Sequence, residues 1–315
     1  MELRDSIVFS NGAYARYDDT RVGLLSHGLN YGLGCFEGIR GFWDAENREL
    51  FLLQLREHFE RLTASTRILL MALPYSIDEL CEIAVEVCVR NRFECDVYLR
   101  PLAYKSAEDI GVRLLGSEDS FALIAVPFSA YYPPGIGLRC GTSSWRRIDD
   151  TMAPARAKIT GTYVNSALAK SEAKLNGLDE AILLSHDGHV SEGSAANLFL
   201  VRGGVLFTPD PSQNVLEGIT RGTVIDLARR ELRIEVRERP IDRSELYSAD
   251  EAFLTGSAAG ITYISEIDHR RVGDGARGPV TAALATYLTN LALGRDPAYA
   301  DRVTRVYAGR AAALR

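Results

Sequence analysis

The sequence predicts an α+β protein of two domains, and three observations carry that prediction. Its 315 residues correspond to roughly two domains at ~150 residues each. Strand patterns come in hairpins, turned at Asn11-Gly12, Asp187-Gly188 and Gly203-Gly204, rather than in strict alternation with helices. Near the middle, YYPPGIG (131–137) places two prolines and two glycines between apolar runs, the composition of a linker. The expected division is a smaller α+β domain over 1–130, the linker 131–137, and a larger domain over 138–315.

The elements follow in order. SIVFSNGAYARYDD reads as a hairpin, and GLNYGLGCFEGIRGF after it is dense in glycine. A helix is predicted from Leu53 to about Met71, with Leu55, Phe59 and Leu62 on one stripe. A second spans about Ile77 to Arg92, with Ile83, Val87 and Arg90 at helical steps. DVYLRPLAY and SFALIAVPF are strands. Beyond Leu138, a helix runs from Thr162 to Leu175 and ends at Asn176-Gly177. A meander follows: EAILLS, VSEGSAANLFLV and VLFTP. A helix passes through TVIDLARREL, then strands RIEVRERPI and EAFLTGS, then a helix from Val280 to Leu293. Only the final AGRAAALR reads as unstructured.

Composition excludes several functions. The chain is 46% hydrophobic and 25% charged with a net charge of −6, the profile of an ordinary globular protein. Its arginines alternate with acids, as in RDPAYADRVTR, so no basic block addresses nucleic acid. No apolar run approaches the ~18 residues of a membrane span. MELRDSIVFSNG has no apolar signal core, which predicts a cytoplasmic protein. The five cysteines include no C-x-x-C pair. Cys81, Cys88 and Cys95 lie seven apart, on one face if helical, and all five read as reduced, mostly buried thiols. No metal site is expected: H-E-x-x-H is absent, and His186 and His189 flank a turn. The P-loop, the dinucleotide fingerprint and G-x-S-x-G are absent too.

One residue stands out by usage. Of 36 basic residues four are lysines (Lys105, Lys158, Lys170, Lys174) and the rest arginines. Arginine cannot lose its proton at usable pH; lysine can, and then becomes a nucleophile. Lys158 lies in ARAKITGTY among small residues. LEGITRGTVIDLARREL puts Gly218, Ile219 and Thr220 at a helix start, where open N–H groups and the helix dipole favour a phosphate. FLTGSAAGIT places small residues after a strand, and HVSEGSAANLF sets Glu192 in a strand amid apolar neighbours, where a carboxylate is either edge-exposed or paired with a buried cation. Each alone has an ordinary structural explanation, a cap, a turn or a surface charge. Together, an amine, a phosphate cradle and an acid in a strand meet the needs of pyridoxal phosphate.

The chain resembles the fold type IV pyridoxal-phosphate enzymes, and within them the branched-chain amino acid aminotransferases. SHGLNYGLGCFEGIRGF, REHFERL, VYLRPLAY, PARAKITGTY, VSEGSAANLFLV, LEGITR and LTGSAAGIT occur in family order over nearly the whole chain. The resemblance implies a smaller α/β sandwich domain and a larger domain with a barrel-like sheet and flanking helices. It implies Lys158 as the Schiff-base lysine, Glu192 at the pyridine nitrogen, Tyr163 at the ring hydroxyl and Arg56 on the phosphate. Gly218, Ile219, Thr220 and Ser257 complete the cradle, Leu216 packs on the ring, and Asn197 supports Glu192. Tyr31, Phe36, Gly38, Arg40, Tyr98, Arg100, Val112, Tyr131, Ser257 and Ala258 are implied on the substrate side. Tyr31 and Val112, the latter in the inter-domain loop YKSAEDIGVRLLGSED, are implied to enter from a neighbouring subunit, hence a homodimer or larger homo-oligomer.

The implied reaction moves the amino group of L-leucine, L-isoleucine or L-valine to 2-oxoglutarate by ping-pong kinetics. Alternatives on the same fold are a D-amino acid or (R)-amine aminotransferase and an aminodeoxychorismate-type lyase. Asn30 and Ser257 depart from the family's usual histidine and threonine, and Arg113 stands beside the implied gate.

Overall fold

The computed structural model describes residues 3–308; the expected unstructured tail lies, from 309 on, outside the described residues. The chain forms two compact units, one of 1–129, 157–161 and 290–315, the other of 130–156 and 162–289. Both are discontinuous in sequence, a feature absent from the continuous ranges expected above.

The first unit contains β1 (Ile7–Ser10), β2 (Ala13–Arg16), α1 (His27–Tyr31), β3 (Gly34–Phe36), β4 (Ile39–Asp44), β5 (Glu49–Leu53), α2 (Leu55–Ile68), α3 (Ile77–Asn91), β6 (Val97–Lys105) and β7 (Asp119–Pro127). Its sheet runs β5-β4-β6-β7-β1-β2 with β3 also on β6. All its strand pairs are antiparallel. Helices α2 and α3 bury Leu55, Phe59, Leu62, Leu80 and Val87 in one core with Ile39, Leu52, Leu99 and Leu123 of the sheet, each such side chain contributing about 1.5–3 kcal/mol. The predicted stripe of α2 is therefore its buried face. A capping box of Ser76 and Glu79 starts α3.

The structure corrects two sequence readings in this unit. Cys81 and Cys88 lie on α3, but Cys95 follows its end and is exposed. The segment holding Val112 is not inter-domain: it joins β6 to β7 inside this unit. At its base the buried Lys105 places Nζ 2.8 Å from Leu70 O and 2.8 Å from Asp119 Oδ1.

The second unit contains β8 (Leu138–Arg146), α4 (Tyr163–Leu175), β9 (Glu180–Leu184), β10 (Val190–Gly193), β11 (Asn197–Arg202), β12 (Val205–Thr208), α5 (Ile219–Arg230), β13 (Val236–Glu238), β14 (Glu251–Gly256), β15 (Gly260–Ile267), β16 (Arg270–Arg271) and most of α6 (Pro279–Ala292). Its strand order is β10-β9-β8-β15-β14-β11-β12-β13, with β16 on β15. Strands β8/β9, β8/β15 and β12/β13 are parallel. In that order β10 and β11 are five places apart, yet Gly193 N–H donates to Ala196 C=O at 2.7 Å. The sheet therefore curls on itself like a barrel, as the fold type IV resemblance implies. VSEGSAANLFLV, read as one strand, is two, because Gly193-Ser194-Ala195-Ala196 is small enough to reverse within the curl.

After α6 the chain rejoins the first sheet. β17 (Val303–Arg305) pairs antiparallel with β5, and Val306 and Tyr307 enter that unit's core.

Candidate active site

The expected site residues divide between the two units, and each set forms a connected cluster. In the first unit, the segment 157–161 is zipped onto β3 and the turn before it. Phe36 N–H donates to Lys158 O at 3.0 Å, Thr160 N–H to Gly34 O at 2.8 Å and Gly161 N–H to Gly32 O at 3.1 Å. Gly32 has φ +67, and a Cβ there would lie 2.6 Å from Gly161 Cα, so this approach requires glycine. Lys158 N–H donates to Ser65 Oγ on α2 at 3.2 Å. The Lys158 ammonium stands 5.0 Å from the centroid of the Phe36 ring. The lysine segment and Phe36 are thus held together by backbone bonds.

Around Phe36 several of the residues expected on the substrate side gather. The Arg100 guanidinium lies 4.5 Å from the Phe36 centroid and 5.3 Å from that of Tyr98, and donates to Tyr98 Oη at 3.3 Å. A Cβ on Gly38 would sit 1.8 Å from Tyr98 Oη. The room that glycine leaves is therefore taken up by this hydroxyl. Arg40 is different: 6% exposed, it bonds Asp96 at 3.3 Å and Ser129 O at 3.1 Å between the rings of Phe42 and Phe128.

Helix α2 separates the two arginines of REHFERL. Arg56 is exposed and pairs with Asp78. Arg61 is largely buried and grips Glu37 with both edges, Nε to Oε1 at 2.7 Å and Nη2 to Oε2 at 2.8 Å. His58 Nδ1 is 2.7 Å from Glu37 Oε2. At ~100° per residue, His58, Arg61 and Ser65 share one flank of α2 and Arg56 lies on the other. The structure thus brings Arg61, not Arg56, to the lysine's side of this helix. Sequence reasoning passed over Arg61, His58 and Glu37, although the helical phase of REHFERL distinguishes the two arginines.

Tyr31 and Val112 belong to the 106–118 loop and its support. Gly111 N–H donates to Tyr31 Oη at 3.3 Å, and the buried His27 ring meets Asp109 Oδ1 at 2.9 Å. Arg113 also pairs with Asp109. Val112 and Ile110 are each 79% exposed.

The second unit holds the other set. Glu192, on β10, is 5% exposed. Its Oε1 is 3.0 Å from Arg147 Nη2. Its Oε2 accepts from Asn197 Nδ2 at 2.9 Å and from Leu216 N–H at 3.2 Å. Asn197 also donates to Leu216 O at 2.9 Å. Arg147, missed in the sequence, is the largely buried cation that the paired-carboxylate reading required. A Cβ on Gly218 would fall 2.0 Å from Asn197 Oδ1, so glycine lets the start of α5 close over this tether. Gly218 caps α5 without a side-chain bond, so the N–H groups of Ile219 and Thr220 open a helix start of the kind that favours an anion. Tyr163 opens α4. Ser257 and Ala258 occupy the turn between β14 and β15. Tyr131 is half-exposed, its ring 4.8 Å from that of Tyr132 in an edge-on contact.

An ionisable amine, a buried carboxylate held by fixed donors and an uncapped helix start are the donor set that pyridoxal phosphate needs, and the residues fit it. Among the described residues no cluster of potential metal ligands occurs and no helix is long and apolar enough to cross a membrane.

Known proteins agree. The family model for amino-transferase class IV matches residues 34–267. A probable branched-chain-amino-acid aminotransferase of Aquifex aeolicus is 43% identical over 299 residues, covering 95% of this chain and 96% of that one. A crystal structure of the branched-chain aminotransferase of Thermoproteus uzoniensis with norvaline superimposes with a TM-score of 0.92 at 43% identity, covering 96% and 99% of the two chains. The branched-chain amino acid aminotransferase of Thermobaculum terrenum, in its PLP-bound holo form, gives a TM-score of 0.93 at 35% identity, covering 97% and 99%. With its motifs, its barrel-like sheet and its site chemistry concordant, the chain belongs to the class IV amino-transferases, among the branched-chain amino acid aminotransferases.

Proposed function

We propose that this chain is the pyridoxal-phosphate-dependent aminotransferase that its family membership indicates, taking the amino group from L-leucine, L-isoleucine or L-valine and passing it to 2-oxoglutarate. The observation that carries the reading is the Glu192–Asn197–Leu216 tether, which fixes a buried carboxylate and the start of α5 in one network. When bound, the cofactor supplies an electron sink for the substrate's Cα carbanion. Lys158 would hold the cofactor, and its amine, when free, would take and return the proton at the substrate's Cα. Glu192, its Oε1 3.0 Å from Arg147 Nη2, would face the pyridine nitrogen and hold its proton. Tyr163 would bond the ring hydroxyl, and Leu216 and Gly218 would line the ring and the approach to it.

For the phosphate we assign Arg61 in place of Arg56, together with the N–H groups of Ile219 and Thr220 and the hydroxyl of Ser257. Phe36, Tyr98 and Tyr131 wall the side-chain pocket, and the Ser257–Ala258 backbone takes the α-carboxylate. Arg100, exposed beside Phe36, is the arginine we assign to the second carboxylate of 2-oxoglutarate; Arg40 is already engaged with Asp96. The exposed Leu24, Leu25, Leu29, Ile110 and Val112, carried on two segments bridged at Ser26 and Glu108, favour a second copy as the partner that covers them, because exposed apolar side chains grouped in this way mark interaction surfaces. We place the protein in the cytoplasm, in keeping with its five free cysteines.

The test is the visible absorption spectrum of the purified protein with L-leucine, D-leucine and 2-oxoglutarate. The lysine-bound cofactor band should convert with L-leucine alone and return with 2-oxoglutarate. Conversion by D-leucine would instead favour the D-amino acid reading, and a band inert to both amino acids the lyase.

A further inference from the structure

Glu37 has no place in the chemistry above, yet it is 0% exposed and lies between Phe36 and Gly38. A buried carboxylate costs several kcal/mol unless it is paired and hydrogen-bonded. Glu37 is both. Arg61 approaches it as a planar fork, at 2.7 and 2.8 Å, the strongest geometry open to an arginine. His58 meets the same carboxylate at 2.7 Å, and Gly38 N–H at 3.3 Å. Burial would raise the Glu37 carboxyl, but the Arg61 guanidinium and the hydrogen bonds from His58 and Arg61 outweigh it and hold the group far below the usual carboxylate range. Burial pushes the His58 imidazole down. Glu37 opposes this, and the charges of Arg61 and Lys158 add to it. The His58 Nδ1 lies 2.7 Å from Glu37 Oε2, and a carboxylate there can only accept. The charged groups facing His58 are Glu37, Arg61 and Lys158.

We infer that Glu37 is a positioning residue that holds the Arg61 guanidinium, through its two-point grip, in the orientation in which Arg61 receives the cofactor's phosphate. The inference rests on the assignment of Arg61 proposed above. Arginine's long stem carries large rotamer freedom. A carboxylate anchored in the short break between β3 and β4, which both pair antiparallel with β6, removes that freedom before the phosphate arrives. Phe36, the residue before it on β3, bonds Lys158 O through its N–H. One buried acid thus sets the phosphate arginine relative to the lysine segment, while His58 and Gly38 N–H take up further acceptor capacity of the same carboxylate.

The test separates this role from simple support of the fold. Cofactor-free wild type and Glu37→Gln are titrated with pyridoxal phosphate and, separately, with pyridoxal, which lacks the phosphate, by absorbance of the lysine-bound form. The expected result is a loss of about tenfold or more in affinity for pyridoxal phosphate and little change for pyridoxal. Equal losses for both ligands, or no loss for either, would overturn the inference. A wild type that binds neither ligand would instead defeat the functional reading itself. Should the single variant not fold, E37Q/R61M leaves no orphaned charge and is compared with R61M. An equal ratio of the two affinities is expected, and a lower ratio in the double variant would count against Glu37 acting through Arg61.

Discussion

Arg100 and Arg40 sit close together on neighbouring strands, yet they are different chemical objects. Arg100 lies exposed over Phe36 and beside the Tyr98 hydroxyl, where an incoming carboxylate can reach it. Arg40 is buried against Asp96 and Ser129. Arg100→Leu should therefore raise the KM for 2-oxoglutarate by roughly 10–100-fold, since a charge-assisted hydrogen bond contributes about 1.5–3 kcal/mol, and leave the half-reaction with L-leucine nearly unchanged. Arg40→Leu should instead lower the melting temperature by a few degrees, because Asp96 loses its partner. Single-turnover kinetics of the two half-reactions, with thermal melts, decide the matter; a selective 2-oxoglutarate defect in Arg40→Leu would reverse the assignment. The sequence marked both arginines as candidates equally, since charge is legible there and burial is not.

Among the elements, α2 makes the same point through its phase. Its apolar stripe of Leu55, Phe59 and Leu62 was legible and is buried as expected. Nothing in the sequence marks the flank carrying His58, Arg61 and Ser65, because its partners, Glu37 and Lys158, are distant in sequence. Arg61→Ala should weaken pyridoxal phosphate binding by roughly tenfold or more, whereas Arg56→Ala should leave it within about twofold, as an exposed ion pair contributes little. Cofactor titration of the two variants checks this, and an Arg56→Ala defect larger than that of Arg61→Ala would restore the original choice. The Glu192 region was half-legible for a similar reason. Its strand and its acid could be read, but its buried cation, Arg147, lies on a different part of the chain, and the reversal at Gly193–Ala196 hides inside an uninterrupted apolar pattern.

On the scale of the whole chain, hairpins and helices were legible because they are local. The returns of the chain were not. Residues 157–161 and β17 join the first unit through backbone pairing across more than a hundred residues, and pairing of that kind leaves no compositional trace. Within the second unit the curled sheet is fastened by Asp268, whose carboxylate accepts from Thr142 N–H at 2.6 Å, Thr142 Oγ1 at 2.7 Å, Tyr247 Oη at 2.7 Å and Arg243 at 2.9 Å. Burial alone would raise this group, but those bonds prevail and bring its pKa down to about 2. A carboxyl depressed in the folded state gives stability that is complete above its unfolded value of about 3.9 and is lost as pH falls through the folded value. Melting temperature should therefore drop as pH is lowered from about 4 toward about 2. Glu37, depressed in the same direction in the first unit, adds to the loss. Asp268→Asn should melt lower than wild type at pH 7, because an amide cannot satisfy four donors, and its melting temperature should depend less on pH between 4 and 2. Calorimetry over that range measures both slopes. Parallel slopes would mean that Asp268 titrates alike folded and unfolded, and that its four bonds do not fasten the curl.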